Sequence, residues 1–242
     1  IVADRAAMFD AAQSALVLEQ YIPDRPGREG ERFADYVSVE SFVSDGQVNH
    51  LAVNGRFPPA DPFRETGFFI PSALDEDASA AALAVVDAAV AALGVTVGFL
   101  HTEIKMTPDG PCVIEVNGRI GGGVPLMLRD ATGIEVMPIA FRLALGETVA
   151  LDAQPRASRI AYLFLIQAPA AMRRILALDG LDALRADPGV DEVTVNRGPG
   201  MEVDRLEGNL GNVFSVTGTV GDHDQLAELF ARAMTGVHIG GA

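Results

Sequence analysis

The 242-residue chain is 49% hydrophobic, 21% charged and 6% aromatic. That is too apolar for a disordered or collagen-like chain, and no apolar run reaches the ~18 residues of a membrane-spanning helix. The balance of 18 Lys and Arg to 33 Asp and Glu gives a formal charge of -15, which repels nucleic-acid phosphates and anionic lipid headgroups and excludes both as expected partners.

The length suits one large or two modest domains. The single cysteine, Cys112, makes neither an internal disulfide nor a Cys-rich zinc site, so a cytoplasmic setting is expected. The chain opens Ile1-Val2-Ala3-Asp4-Arg5 without Met or a signal stretch, and reads as a sequence entered midway. An apolar face predicts a short helix over 4–15, and Ala15 to Ile22 is a strand-like run stopped by Pro23. Residues 24–30, with their prolines, glycines and charges, read as a loop. Tyr36 to Val43 alternates, turns at Ser44-Asp45-Gly46 and resumes over Val48 to Val53, the pattern of a β-hairpin. Residues 57–67 are expected as a loop along a sheet edge.

Asp75 is placed to cap a helix with Leu83, Val86, Val90 and Leu93 on one face and Gly94 just past its end. Two strands follow, over 97–106 and 111–117, joined by Thr107-Pro108-Asp109-Gly110. Gly121 to Gly123 leads into a short helix near 124–131, and a helix carrying Val136, Ile139, Ala140 and Leu143 ends at Gly146. Periodicity is lost over 147–157, predicting a division into 1–150 and 151–242. Beyond it come a strand over 159–167, a helix over 176–186, strands over 192–196 and 213–220, and a helix over 222–234. The fold class is α+β, with a small two-layer α+β unit at the end.

The densest polar information lies in the two strands His101-Thr102-Glu103-Ile104-Lys105 and Val113-Ile114-Glu115-Val116-Asn117-Gly118-Arg119. In a hairpin turning near 107–110, residues whose numbers sum to about 218 face one another, as Glu103 and Glu115 do. Alternation sends Lys105, Asn117 and Arg119 to the same face. Two opposed carboxylates among apolar neighbours call for a cation between them. Hard oxygen donors of this kind suit Mg²⁺, which takes one or two carboxylates plus phosphate oxygens, and Arg119 is placed for a phosphoryl group. The spacing suits equally a surface hairpin whose glutamates are neutralised by Lys105 and Arg119.

These segments, Gly98 to Lys105 and Asp109 to Arg119, resemble the metal-binding segment of the ATP-grasp superfamily, in its L-amino-acid ligase-like branch. The resemblance implies that Glu103, Glu115 and Asn117 hold Mg²⁺, with Mn²⁺ as a substitute, on the phosphates of ATP, and that Arg119 faces the transferring group. Leu18-Glu19-Gln20-Tyr21-Ile22 is similar to the family's hinge strand, implying adenine recognition by Glu19, Gln20 and Ile22. Phe63-Arg64-Glu65-Thr66-Gly67 looks like its substrate-side loop, implying a contact from Glu65 to a substrate amino group. A solvated loop charge is the competing reading there. Asp35 and Glu40 are candidates for the ribose, His101 for phosphate or substrate, and Gly122 and Gly123 for close approach of substrate to the backbone. Cys112 is read as a small core residue, and His50, His223 and His238 are given no role.

Residues 158–237 resemble the carboxy-terminal subdomain of the same enzymes. The fold implied is the carboxy-terminal half of an ATP-grasp domain plus that small subdomain. The implied activity is carboxylate–amine ligation through an acyl phosphate, on small-molecule carboxylate and amine substrates, with a homodimer as the assembly considered. The alternatives are biotin-carboxylase-like carboxylation and an inactive nucleotide- or partner-binding scaffold. The family's Gly-rich loop and phosphate-binding lysines have no counterpart, Lys105 being the only lysine. The chain by itself is therefore expected to be an incomplete, inactive portion.

Overall fold

The computed structural model describes residues 20–25, 32–61 and 63–242. The expected helix over 4–15, Glu19 with most of its strand, and most of the 24–30 loop lie outside the described residues. Residues 20–22, the described end of that strand, carry no regular structure.

The hairpin forms as β1 (Tyr36–Ser44) and β2 (Gln47–Arg56). Its two-residue turn has positive φ at Asp45 (50°) and Gly46 (73°), the twist that matches right-handed strands. Next come β3 (Gly67–Ile70), α1 (Glu76–Leu93), β4 (Gly98–Thr107) and β5 (Gly110–Asn117). After them lie α2 (Val124–Thr132), α3 (Val136–Ala144) and β6 (Ile160–Gln167). The rest is β7 (Ile175–Asp179), α4 (Leu181–Arg185), β8 (Val190–Val195), a 3₁₀ segment over Arg205–Gly211, β9 (Asn212–Val220), α5 (His223–Gly236) and β10 (His238–Gly241).

Eight strands make one antiparallel sheet in the order β5-β4-β1-β2-β3-β6-β9-β8. It runs without interruption past residue 150, because β3 joins β2 on one side to β6 on the other. β3 falls at the end of the expected 57–67 loop and just beyond it. Its Gly67-Phe68-Phe69-Ile70 is too short to show a period and is buried throughout.

Alternation decides what each face meets. Val37, Val39, Ile104 and Met106 pack against Ala82, Val86 and Val90 of α1. The helix starts where Asp75 accepts the Ala78 amide at 2.8 Å and stops at Gly94 in the left-handed region. Leu93, expected on the buried stripe, is 60% exposed, since it sits in the last turn beyond the sheet. On the opposite face Phe42, Leu51 and Phe68 pack against Val124, Met127 and Leu128 of α2. A third cluster joins Phe57 and Phe69 to Tyr162, Phe164, Phe214 and Leu226 of the carboxy-terminal part.

The expected helix over 176–186 is corrected to β7 and the single turn α4. β7 pairs with β10, a partner some sixty residues on in the sequence that local pattern cannot display, and Gly180 at φ 97° breaks the two apart. Cys112 is exposed rather than in the core, because β5 is an edge strand. His50, given no role, ties strand to helix: its ring nitrogens lie 2.9 Å from Ser41 Oγ and 3.1 Å from Asp87 Oδ1. This geometry resembles a hydrolytic triad, but Ser41 is fully buried and no substrate reaches its hydroxyl. Among the described residues, no helix is long and apolar enough to cross a membrane.

Replacing Asp75 with Ala is expected to cost about 1 kcal/mol of stability in urea unfolding, the value of a helix cap. Gly218→Ala should cost more, within ~1–3 kcal/mol or above, because its Cβ would lie 2.1 Å from the Gly189 carbonyl oxygen and 2.7 Å from Tyr162 Oη.

Candidate active site

The site grows from one face of four adjacent strands. Antiparallel register places Ser38 opposite both Asn54 and Glu103, Glu40 opposite His101, Glu103 opposite Glu115, and His101 opposite Asn117. Tyr36, Ser38, Glu40, Asn54, Arg56, His101, Glu103, Lys105, Glu115 and Asn117 therefore floor a single polar surface. The expected sum of 218 holds from His101 to Glu103. A bulge then shifts the ladder by one, so that Lys105 faces Cys112.

At the centre is a buried chain of charges. Glu40, 2% exposed, accepts from His101 Nδ1 at 2.5 Å, from Asn54 Nδ2 at 2.8 Å and from the Gly121 amide at 3.3 Å. His101 Nε2 reaches Glu103 Oε1 at 3.3 Å. Burial pushes the His101 pKa down, but its hydrogen bonds to Glu103 and Glu40 and the charge of Glu40 outweigh that, and it rises to about 9. The imidazolium thus donates from both nitrogens. The same hydrogen bond holds Glu103 below the usual carboxylate range against the opposing effect of its burial, helped by the charges of Arg56, His101 and Arg119.

Arg56 is the residue that sequence reasoning missed. It is 3% exposed, donates from Nη1 to Glu65 Oε1 and from Nη2 to Ser38 Oγ at 3.1 Å, and lies 3.6 Å from Glu103 Oε1. Its guanidinium covers the Phe68 ring at 5.0 Å and the Tyr36 ring at 5.7 Å. The available signal was parity: Asn54 and Arg56, two apart at the end of an alternating strand, present polar groups where an apolar side chain would close the core.

The other candidates divide by position. Glu115 is exposed and accepts from Asn117 Nδ2 at 2.7 Å. Arg119 is exposed, and its charge bears on Glu103. Lys105 pairs with Asp24, so Glu103 is neutralised by His101 and Arg56, not by the lysine. Glu65 is gripped on its other side by Asn209 of the 3₁₀ segment, which accepts from the Glu65 amide at 2.6 Å and donates to Oε2 at 2.8 Å. Glu40, proposed for the ribose, lies beneath the site with its oxygens engaged, and Asp35 is clamped by Arg25 at 2.8 Å. Gln20 is exposed and Ile22 half-buried, in the segment held by Asp24 and Arg25. Gly123 starts α2 at φ 71°, and Gly122 has no described residue beyond its chain neighbours within 4 Å of where a Cβ would stand.

Among the described residues, no group of three His, Cys, Asp or Glu side chains is arranged to hold a metal. The donor set here is two carboxylates in register with an amide beside one of them. That fits Mg²⁺, which completes an octahedron with phosphate oxygens and water, and does not fit an all-protein Zn²⁺ cage.

An ATP-grasp domain profile matches residues 4–126, just over half of the chain. The chain belongs to the ATP-grasp family. Its similarity extends to alanine–anticapsin ligase of Bacillus subtilis (strain 168), 30% identical over 121 residues, covering 49% of this chain and 25% of that protein. Carnosine synthase 1 of Gallus gallus is 29% identical over 147 residues, covering 59% and 14%. The crystal structure of L-amino acid ligase from Bacillus licheniformis superposes with a TM-score of 0.76 at 25% identity, over 87% of this chain and 53% of that one. The biotin carboxylase domain of Hydrogenobacter thermophilus 2-oxoglutarate carboxylase, solved with MgADP and bicarbonate, gives 0.61 at 17%, over 92% and 48%, a likeness of fold alone. The chain thus spans from about a seventh to about half of these ATP-grasp proteins. At the level of the family, its named relatives are ligases.

Gly121 separates two outcomes within this ATP-grasp site. A Cβ there would lie 2.7 Å from His101 Nδ1 and 3.0 Å from Glu40 Oε1, whereas one at Gly122 meets nothing within 4 Å among the described residues. Gly121→Ala is expected to lower the thermal midpoint by several degrees, equivalent to about 1–3 kcal/mol. Gly122→Ala should stay within about 0.5 kcal/mol of wild type.

Proposed function

We propose that this chain forms the metal-binding and acceptor side of an ATP-dependent carboxylate–amine ligase of the amino-acid or dipeptide type. The observation that carries the reading is Glu103 opposite Glu115, with Asn117 beside Glu115 and Arg119 just beyond the strand. Relatives named for joining alanine to anticapsin and for making carnosine support it. Residues 1–150 are assigned to nucleotide and metal, and 151–242 to a subdomain that braces the acceptor side through Asn209. A cytoplasmic setting, with ATP at hand, belongs to the same proposal.

Glu103, Glu115 and Asn117 are the residues that hold Mg²⁺, and Gln20 and Ile22, with Glu19, receive the adenine. Bound there, Mg²⁺ supplies positive charge against the phosphate oxygens of ATP. Arg119 extends from the strand end toward the transferring phosphoryl group and stabilises its charge. A substrate carboxylate oxygen bonds to the γ-phosphorus as the bond to the β–γ bridging oxygen breaks, giving an acyl phosphate and ADP. The amine nitrogen then bonds to the acyl carbon, phosphate leaves with the C–O electron pair, and the amine's proton passes to base. Glu65, fixed by Arg56 and Asn209, orients the ammonium end of an amino-acid substrate. His101 keeps Glu103 ionised and immobile, and so preorganises the metal side. A biotin-carboxylase-like activity has only fold-level likeness behind it.

In the intact protein Glu115→Ala should reduce metal-dependent ATP turnover by about a hundredfold or more. Its unfolding midpoint should be unchanged, because Glu115 is exposed. Metal-dependent turnover retained in this variant would overturn the metal assignment.

A further inference from the structure

Arg56 stands between two carboxylates that serve different ligands in the ligase reading, on which the following rests. Glu65 belongs to the substrate-side loop and Glu103 to the metal strand. One guanidinium reaches both, Nη1 donating to Glu65 Oε1 and Nη2 lying 3.6 Å from Glu103 Oε1. It has little freedom to do anything else. The side chain is 3% exposed, packed over Phe68 and Tyr36, and its buried Nε finds no partner among the described residues. His101 Nε2, 3.4 Å from Nη2, is itself a donor to Glu103, so it offers the guanidinium no acceptor.

We infer that Arg56 is a positioning residue that couples the two subsites, making metal affinity at Glu103 depend on the charge state of Glu65. While Glu65 is an unoccupied carboxylate it draws the guanidinium and takes up most of its charge. When that negative charge is removed, or is satisfied by a substrate ammonium, the full charge of Arg56 falls on Glu103 and opposes a divalent cation there. Linkage makes the effect reciprocal: a cation on Glu103 turns Arg56 toward Glu65 and weakens ammonium binding. The low-dielectric surroundings keep the effect from being screened as it would be between surface charges. A purely structural Arg56 would hold the fold and carry no such dependence.

The test is a double-mutant cycle read by binding, not turnover. Mn²⁺ affinity, followed by the EPR signal of the free ion, is measured without nucleotide on the intact protein and its Glu65→Gln, Arg56→Gln and doubly substituted forms. Glu65→Gln should weaken Mn²⁺ binding about fivefold or more when Arg56 is present, and less than about twofold in the Arg56→Gln background. A loss of equal size in both backgrounds means that Glu65 acts on the metal directly through space, and overturns the proposal. So does no loss in either. If Arg56→Gln does not fold, Arg56→Met takes its place, since it keeps an adaptable apolar stem over Phe68 and Tyr36 and carries no charge. The Glu65→Gln effect should shrink there too, and an undiminished effect overturns the coupling. Glu103→Gln separates this failure from that of the ligase reading. If it leaves Mn²⁺ affinity unchanged, the metal assignment falls and the coupling with it. If it abolishes binding while the cycle shows no difference, only the coupling falls.

Discussion

Two carboxylates, Glu40 and Glu103, sit on the inner face of a sheet with one imidazolium between them, and much of the molecule is arranged to make that tolerable. Buried charge is costly unless paired and fully hydrogen-bonded. The pairing here is distributed over three strands: Glu40 from β1, Asn54 and Arg56 from β2, His101 and Glu103 from β4, with the Gly121 amide closing from the turn before α2. Removing any one partner leaves the others short of a charge or a donor. Such a network ties strand register to site chemistry, because a slip of one residue would turn every member to the opposite face. Stability and preorganisation are therefore supplied by the same bonds.

The sheet also carries this polar surface across the middle of the chain. β3 is only four residues long, yet it is the link by which β6, β9 and β8 join β2, β1, β4 and β5. Asn209, from the segment between β8 and β9, reaches Glu65 through both its amide atoms. The carboxy-terminal part is thus tied to the loop that carries Glu65. Lys105, the one lysine, holds Asp24 beside the sheet, and with Arg25 on Asp35 it fastens residues 24–25 to the sheet.

Much of this was legible in the residues themselves. The β1–β2 hairpin, the capped helix α1 and the Glu103–Glu115 register follow from period, turn chemistry and caps, all of which act over a few residues. The pairing of Glu103 with Glu115 was legible because the turn at Pro108-Asp109 sets it. Arg56 was not, because its partners Glu65, Ser38 and Glu103 come from three separate stretches of chain. Glu40 and Asp35, ribose candidates in the sequence, are engaged by His101 and Arg25, and an acidic residue near or on an alternating strand looks alike whether it meets a ligand or a neighbouring cation. β7 was taken for helix because its partner β10 lies at the far end of the sequence.

The sequence by itself determined the family and the local geometry of the β4–β5 hairpin, since both rest on residue types at fixed short spacings. The tertiary structure decided which charges neutralise which: Lys105 went to Asp24, and Arg56 and His101 to Glu103. Periodicity assigns a side chain to a face, but only the packed sheet determines its neighbours on that face. In a protein of charge -15, where cations are scarce, that allocation sets the character of the site.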